Sequence, residues 1–344
     1  MAKGRKTFRK VITSDSLIES INPENKKLME RFLKNFATKR SPKSVTVYRS
    51  NLNIFFCYCV ENLENKAFKD LRKLHFLDFS DYVLTELKWS PARFANMVSC
   101  LSSFSDWIET YMDDVEGYEN FRNIVKKIEK PAKEAVREKT ILKEEDMDRL
   151  FSVLKEQGKV QEQCLLALAI SCGARVSELA RFTVDLIDED NTVFDGLFLK
   201  TTEKIITKGR GINGKKLDKY ILKDMFLPYY QKWLPIREQV MKETGQDHNY
   251  LFVTKDGKPA NADRLRDWIG TWSDIVNQPM FPHCLRHYNV SLYKRLNLDD
   301  NLIVYLTGWA EGSGHNMIAI YNDNDIADEK FECLDNLKNF LNNK

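Results

Sequence analysis

Four residues of this chain stand in an order that suits attack of a phenol on a phosphodiester. Arg175 comes first, His283 and Arg286 follow three positions apart, and Tyr321 comes last. An arginine presents a planar fork of N–H donors that matches phosphate oxygens. A tyrosine hydroxyl has a pKa of about 10, so cationic groups must stabilise the charge that develops when it reacts. The residue types and their order therefore predict transfer of a phosphodiester onto a tyrosine.

Arg175 and Tyr321 also have ordinary structural interpretations. Arg175 lies three residues before Glu178, so the two side chains could form a simple ion pair. Tyr321 could be a packed aromatic, like most of the 13 tyrosines of the chain. These alternatives stay open at the level of single residues.

The histidine and arginine of the second cluster lie on one face of a helix that begins at Pro282. One alternative is a core histidine at His283 beside a surface arginine at Arg286. Another is a metal site formed by His283, Cys284 and His287. That site lacks the H-E-x-x-H spacing and an obvious further ligand, which argues against it.

Both clusters resemble motifs of the tyrosine recombinase (phage integrase) family. The segment Gly173-Ala174-Arg175-Val176-Ser177-Glu178-Leu179 is similar to the first arginine motif, and His283-Cys284-Leu285-Arg286 matches H-x-x-R. The resemblance implies that both arginines hold the scissile phosphate and that His283 transfers a proton or hydrogen-bonds to the phosphate. It also implies that Glu178 and His287 support the site.

The family resemblance makes Tyr321 the expected nucleophile, because it follows the second arginine motif by the usual interval. Tyr305 is a weaker candidate, since it lies within an apolar helix. Where the family usually has a histidine before the nucleophile, this chain has Trp309 in Leu306-Thr307-Gly308-Trp309. An indole N–H can donate to a phosphate oxygen but cannot carry a proton. His315, after a spacer that looks longer than typical, is the rival for this role.

The family also implies a lysine on a β-hairpin that protonates the 5′-hydroxyl leaving group. Lys208, in Lys208-Gly209 after a short strand, is the best match. Lys204, Lys215 and Lys216 are rivals, because the sequence does not set the hairpin register. The segment lacks G-x-x-x-x-G-K-[S/T], so a nucleotide-binding loop is disfavoured.

Charge and composition favour a polyanionic partner. The chain has 53 basic and 50 acidic residues, but basic residues cluster at the N-terminus, over 200–219 and over 281–298. We expect the DNA-binding residues to include the following: Lys43, Arg49, Arg93, Arg210 and Lys215. The seven cysteines lack CxxC spacing, and no apolar run reaches the ~20 residues of a membrane span. These features indicate a cytoplasmic protein, associated with the nucleoid in a prokaryotic host.

Helical periodicity and turn signals predict a mainly α fold with a small antiparallel sheet in the C-terminal domain. Residues 1–22 are predicted to be a loose basic tail, and 23–127 a compact helical domain. Residues 128–139 are predicted to be a linker, and 140–344 a catalytic domain. The resemblance implies that the two domains form a clamp around duplex DNA.

The resulting hypothesis is a site-specific recombinase that cuts and rejoins duplex DNA through a 3′-phosphotyrosine, without metal or ATP. The resemblance implies that the amphipathic segment Ile326–Leu341 docks on a neighbouring subunit and gives a homotetramer on two duplexes. The alternative is that it packs on its own domain. The alternatives are a type IB topoisomerase with the same chemistry and a DNA-binding regulator without catalysis. A metal-dependent nuclease would need a carboxylate cluster that is not found near the motifs.

Overall fold

The computed structural model describes residues 12–132, 140–207, 214–309 and 318–319, and these fall into two compact units. One unit consists of the described residues before 133. The other consists of the described residues from 140 onward, Gly214 excepted. No helix in the described ranges is both long and apolar enough to cross a membrane.

The first unit consists of helices and the segments that connect them, with no strand among its described residues. Its α-helices are α1 (Asp15–Ser20), α2 (Pro23–Ala37), α3 (Pro42–Asn62), α4 (Lys73–Asp81) and α5 (Pro91–Tyr111). Prolines at 23, 42 and 91 predict helix starts, and α2, α3 and α5 begin at these residues. The residues before these prolines, Asn22, Ser41 and Ser90, each accept a hydrogen bond from a backbone N–H of the first turn. The sequence of 75–87 predicts a single helix, whereas the structure has α4 followed by a short π-helix.

Helix α1 lies inside the segment 1–22 that the sequence assigned to a loose tail. Ser14 caps this helix by accepting a hydrogen bond from the Leu17 N–H at 3.2 Å. Leu17 packs against the core of the first unit, and Asn65 Nδ2 donates to a carbonyl oxygen at the end of α1 at 2.8 Å. The contact with Asn65 joins residues 45 positions apart in sequence, and local periodicity does not indicate such a contact.

The second unit surrounds a central buried helix. Its helices are α6 (Glu144–Glu156), α7 (Val160–Cys172), α8 (Val176–Leu179), α9 (Lys223–Thr244), α10 (Ala262–Thr271), α11 (Ser273–Val276), α12 (Pro282–Arg295) and α13 (Asp300–Thr307). Helix α7 is buried on all sides from Gln163 to its last residue. The almost wholly apolar sequence of 161–171 predicts a helix that is broken at Gly173, and α7 confirms this prediction. Because α12 packs along α7, it places the second arginine motif beside the end of the first.

Five short strands form two antiparallel sheets in the second unit. They are β1 (Thr192–Val193), β2 (Phe198–Lys200), β3 (Ile205–Thr207), β4 (Lys215–Leu217) and β5 (Tyr220–Leu222). One sheet has the order β1-β2-β5, and the other is the β3–β4 hairpin. The sequence of 192–199 predicts a single strand. The structure has two strands there, because Phe194 and Asp195 adopt positive φ and turn the chain back. Strand β4 was not expected from its lysine-rich sequence.

Candidate active site

The candidate active site is built around the carboxyl end of α7. Gly173 ends this helix at φ +55°, and a Cβ there would lie 2.4 Å from Asn289 Oδ1. Side chains of α12 donate to three backbone carbonyls at this end. Asn289 Nδ2 donates to the Ile170 carbonyl oxygen at 2.7 Å, and the Tyr293 hydroxyl donates to the Ser171 carbonyl oxygen at 3.3 Å. The Arg286 guanidinium donates to the Gly173 carbonyl oxygen. The two motif segments are thus joined directly.

Arg175 lies immediately before α8 and is held by Glu178. Its backbone N–H donates to Glu178 Oε2 at 3.1 Å, and its guanidinium donates to Oε1 at 3.0 Å. The ion pair offered as an ordinary interpretation is therefore present. About a quarter of the Arg175 side chain remains exposed, at 24%. The pair orients the guanidinium and leaves part of it accessible to a ligand.

Glu178 has a second cationic partner, Lys219, which precedes β5. Lys219 Nζ lies 2.7 Å from Glu178 Oε2, and both side chains are buried. Burial alone would raise the pKa of the Glu178 carboxyl, but the nearby charges of Lys219 and Arg175 hold that pKa below its usual range. Glu178 is therefore ionised at neutral pH and binds both cations.

Arg286 is a buried arginine rather than a surface one. It is 1% exposed, and it donates to the carbonyl oxygens of Gly173 and, at 3.3 Å, Thr307. Its guanidinium carbon lies 4.9 Å from the centre of the Trp309 ring. This distance suits a cation–π contact, which is worth most where water is excluded. Arg286 therefore joins the ends of α7 and α13 and contacts the tryptophan at the expected histidine position.

The two histidines of α12 differ in exposure. His283 is exposed and His287 is half-buried, so His283 is not a core histidine. Cys284 is buried, and its Sγ donates to the Phe281 carbonyl at 2.8 Å within its own helix. Within the described ranges, no group of three or more histidine, cysteine or acidic side chains is placed to hold a metal ion.

The β3–β4 hairpin contacts both motif regions. Arg181, just after α8, donates to the Ile206 carbonyl of β3 at 2.7 Å. On β4, Leu217 Cδ1 is so near Gly308 that a Cβ there would meet it at 2.8 Å. The rival lysines Lys204, Lys215 and Lys216 are all exposed. The hairpin is thus anchored between the first arginine motif and the Trp309 segment.

Several predicted site residues fall outside the described residues. These are Lys208, Arg210, His315 and Tyr321. Tyr305, the rival nucleophile, lies within the described residues. It lies on α13 with 56% of its surface exposed, and its hydroxyl shares a hydrogen bond with that of Tyr220.

The basic residues expected to bind DNA in the first unit have different surroundings. Lys43 is exposed near the start of α3. Arg49 forms a two-bond ion pair with Glu30, one bond of which measures 3.0 Å. Arg93 donates to Asn51 Oδ1 at 2.6 Å and lies over the Trp89 ring at 4.6 Å. Arg93 is therefore held in one orientation, whereas Lys43 is not.

Three residues of the site had no role in the sequence-based prediction: Lys219, Asn289 and Tyr293. Asn289 and Tyr293 lie three and seven positions after Arg286 on the same helix, so helical spacing could have indicated them. Lys219 opens the apolar run Lys219-Tyr220-Ile221-Leu222. A lysine at that place gives only a weak signal of burial, because lysines commonly flank strands.

Comparison with known proteins places these features in a family. The model of the phage integrase family matches residues 140–327. The tyrosine recombinase XerC of Caldanaerobacter subterraneus subsp. tengcongensis is 23% identical over 306 residues, which span 82% of this chain and 79% of that protein. The XerC of Psychromonas ingrahamii is 24% identical over 276 residues, or 76% of this chain and 80% of that protein.

Solved structures share the fold at low sequence identity. The Tn1549 transposon integrase bound to transposon right end DNA has a TM-score of 0.65 at 13% identity, covering 91% of this chain and 99% of that chain. The XerH site-specific recombinase on its difH substrate has a TM-score of 0.63 at 17% identity, covering 84% and 79%. The mainly helical fold with small antiparallel sheets is confirmed by these neighbours. The family model spans more than half of the sequence, and the chain belongs to the phage integrase family of tyrosine recombinases.

Proposed function

We propose that this protein is a site-specific recombinase that cuts duplex DNA and rejoins it through a 3′-phosphotyrosine intermediate. Membership of the family makes the chain a tyrosine recombinase, and DNA is its substrate. The observation that carries the proposal is the meeting of the two arginine motifs. Arg286 donates to the carbonyl oxygen of Gly173, which lies two residues before Arg175, and this contact supports a single site for both arginines.

The two arginines bind and neutralise the non-bridging oxygens of the scissile phosphate. Their charges stabilise the transition state more than the ground state, because the negative charge on those oxygens increases there. Arg175 presents the exposed part of its guanidinium, while Arg286 is 1% exposed.

The remaining roles follow the family pattern. The Tyr321 oxygen loses its proton and bonds to phosphorus while the bond from phosphorus to the 5′-oxygen breaks. Lys208 protonates that departing oxygen, which leaves as a 5′-hydroxyl. His283, exposed at the start of α12, reaches the phosphate as a proton carrier or hydrogen-bond donor. Trp309 donates its indole N–H to a phosphate oxygen and packs on Arg286. A second 5′-hydroxyl then reverses the first step. The phosphotyrosine bond conserves the free energy of the broken diester, so the cycle consumes no ATP.

Binding and assembly complete the proposal. The helical domain 23–127 and the catalytic domain from residue 140 would hold the duplex, with DNA contacts from Lys43, Arg93 and Lys215. The segment Ile326–Leu341 would pair neighbouring subunits into a homotetramer on two duplexes. Its amphipathic pattern supports this, with Phe331, Leu334, Leu337 and Phe340 recurring at helical spacing.

The proposal is tested by covalent trapping on a nicked suicide substrate in EDTA. The DNA site is first identified by selection or from sequences that flank the gene. Wild-type protein should form a covalent adduct that Tyr321→Phe does not form, while Tyr305→Phe still forms it. Binding to a verified site without any adduct would favour a non-catalytic regulator. Relaxation of supercoiled DNA without site preference would favour a type IB topoisomerase.

A further inference from the structure

Lys219 is the one lysine that is buried among the described residues, with 1% of its surface exposed. Removing an ammonium group from water costs several kcal/mol unless the charge is paired. Here Glu178 is the charged partner, at 2.7 Å. The reaction outlined above gives Lys219 no role, so its burial next to the first arginine needs a separate explanation.

The position of Lys219 is set by the sheet. Its backbone N–H donates to Thr201 Oγ1 at 3.1 Å, and the Thr201 N–H donates back to the Lys219 carbonyl at 3.0 Å. Thr201 is itself buried at 2% exposure. Lys219 also lies between β4 and β5, so it follows directly on the hairpin. These two hydrogen bonds therefore fix the backbone position from which the Lys219 ammonium group reaches Glu178.

The net charge of Arg175, Glu178 and Lys219 determines how strongly the Arg175 site attracts a phosphate. If Glu178 bound Arg175 alone, the pair would be neutral and would attract a phosphate weakly. Lys219 adds a second positive charge to the same carboxylate, and the three groups together carry a net charge of about +1. Glu178 can then orient Arg175 through two hydrogen bonds without cancelling its attraction for phosphate.

We propose that Lys219 is a positioning residue of the recombination reaction, which holds Glu178 in place and preserves the net positive charge of the Arg175 site. It does not touch DNA. Its effect reaches the phosphate through Glu178 and Arg175, and it links the β3–β4 hairpin to the first arginine motif. This inference rests on the proposed strand-cleavage function.

The test measures the single-turnover rate of adduct formation on the suicide substrate, with DNA affinity and thermal unfolding recorded for each variant. Lys219→Met keeps the length of the side chain and removes its charge. We expect a rate at least about tenfold below wild type, with a much smaller change in DNA affinity. Lys219→Arg, which keeps the charge, should recover most of the rate. Lys223→Met is the matched control, a partly exposed lysine four positions on, and should leave the rate unchanged.

Two combinations separate positioning from a general effect on folding. In an Arg175→Ala background, Lys219→Met should change the rate by less than about threefold, because the residue through which it acts is gone. The double variant Lys219→Met with Glu178→Gln has no buried charge at this place and restores the net charge. Its rate should lie above that of Lys219→Met and at least about fivefold below wild type.

The inference is overturned if Lys219→Met cleaves at the wild-type rate, or if its loss is fully additive with Arg175→Ala. It is also overturned if the double variant is no faster than Lys219→Met. Should Lys219→Met fail to fold, the double variant decides, and a wild-type rate there would refute the positioning role. Absence of an adduct from wild type on a verified site would refute the proposed function itself, and this inference with it.

Discussion

At the scale of single residues, the site depends on two cations that share one carboxylate. Arg175 and Glu178 are three positions apart, so their pairing could be predicted from sequence. Lys219 reaches the same carboxylate from 41 positions away. Its burial depends on how β5 packs, and no local pattern encodes that. The pairing of Arg175 with Glu178 could therefore be predicted from sequence, while the burial of Lys219 beside them depends on the fold.

Replacing Glu178 should lower the free energy of unfolding and make it less dependent on pH. Because the folded-state pKa of Glu178 is held below the usual 4.5, its stabilising contribution is present at neutral pH and is lost as the pH falls below that value. Glu178→Gln leaves the buried Lys219 without a charged partner and should lower the free energy of unfolding by about 3–5 kcal/mol at pH 7.

Urea unfolding at pH 7 and at pH 4 measures both effects for wild type and Glu178→Gln. The difference between the two proteins should shrink at the lower pH. A variant as stable as wild type at pH 7, or a difference that grows on acidification, would contradict this description of the buried charges.

The contact between Trp309 and Arg286 leads to a second prediction. Trp309→Phe keeps an aromatic ring over the guanidinium but removes the indole N–H. The fold should be retained, while the rate of adduct formation should fall about tenfold or more, the low end for a lost donor to developing charge. Single-turnover cleavage together with thermal unfolding measures this. Wild-type cleavage by Trp309→Phe would show that the N–H has no part in the reaction.

At the scale of elements, the critical feature is the end of α7, where the carbonyl groups accept hydrogen bonds from α12. The stop at Gly173 was predictable, since an apolar helix followed by glycine is a typical C-terminal signal. The strands were less predictable. Turns at positive φ divided the expected strand over 192–199, and β4 exists because β3 pairs with it rather than because of its own residues.

Gly173→Ala should disrupt this end of α7 more than a comparable change elsewhere. The new Cβ would clash with Asn289 and strain a backbone at φ +55°. The combined cost should reach about 3 kcal/mol or more, with loss of adduct formation. Gly245→Ala is the matched control, because it also ends a helix at positive φ but has open space around it.

That control should cost only about 1–2 kcal/mol, the strain of the left-handed conformation. Chemical denaturation of both variants gives the comparison. Equal destabilisation by the two substitutions would mean that the close approach of Asn289 to Gly173 is not important for stability.

At the scale of the whole molecule, the net charge of +3 gives little indication of a DNA-binding protein. The distribution of basic residues was the better guide, together with the helical periodicity that predicted the helical first unit. The sequence could not show which basic side chains already have an ion-pair or hydrogen-bond partner in the folded protein. Arg49 is paired with Glu30, and Arg93 is held by Asn51, whereas Lys43 is exposed.

DNA affinity should therefore depend on salt through specific cations. Lys43→Gln and Lys215→Gln should each reduce the slope of log K against log salt by about 0.9, the value for one lost phosphate contact. Lys69→Gln is the control, since Lys69 forms an ion pair with Glu24 at 2.9 Å and should leave the slope unchanged. Fluorescence anisotropy over a salt series measures these slopes. Unchanged slopes for both test variants would place the DNA interface elsewhere.

The central claim is that Tyr321 becomes covalently attached to DNA. The most direct measurement is mass spectrometry of the trapped adduct after nuclease treatment and digestion with a protease that cleaves after glutamate. Cleavage after Glu311 separates Tyr305 from Tyr321. We expect the peptide with the residual nucleotide to contain Tyr321 and to carry the modification on that residue. A nucleotide on Tyr305, or on any other side chain, would contradict it.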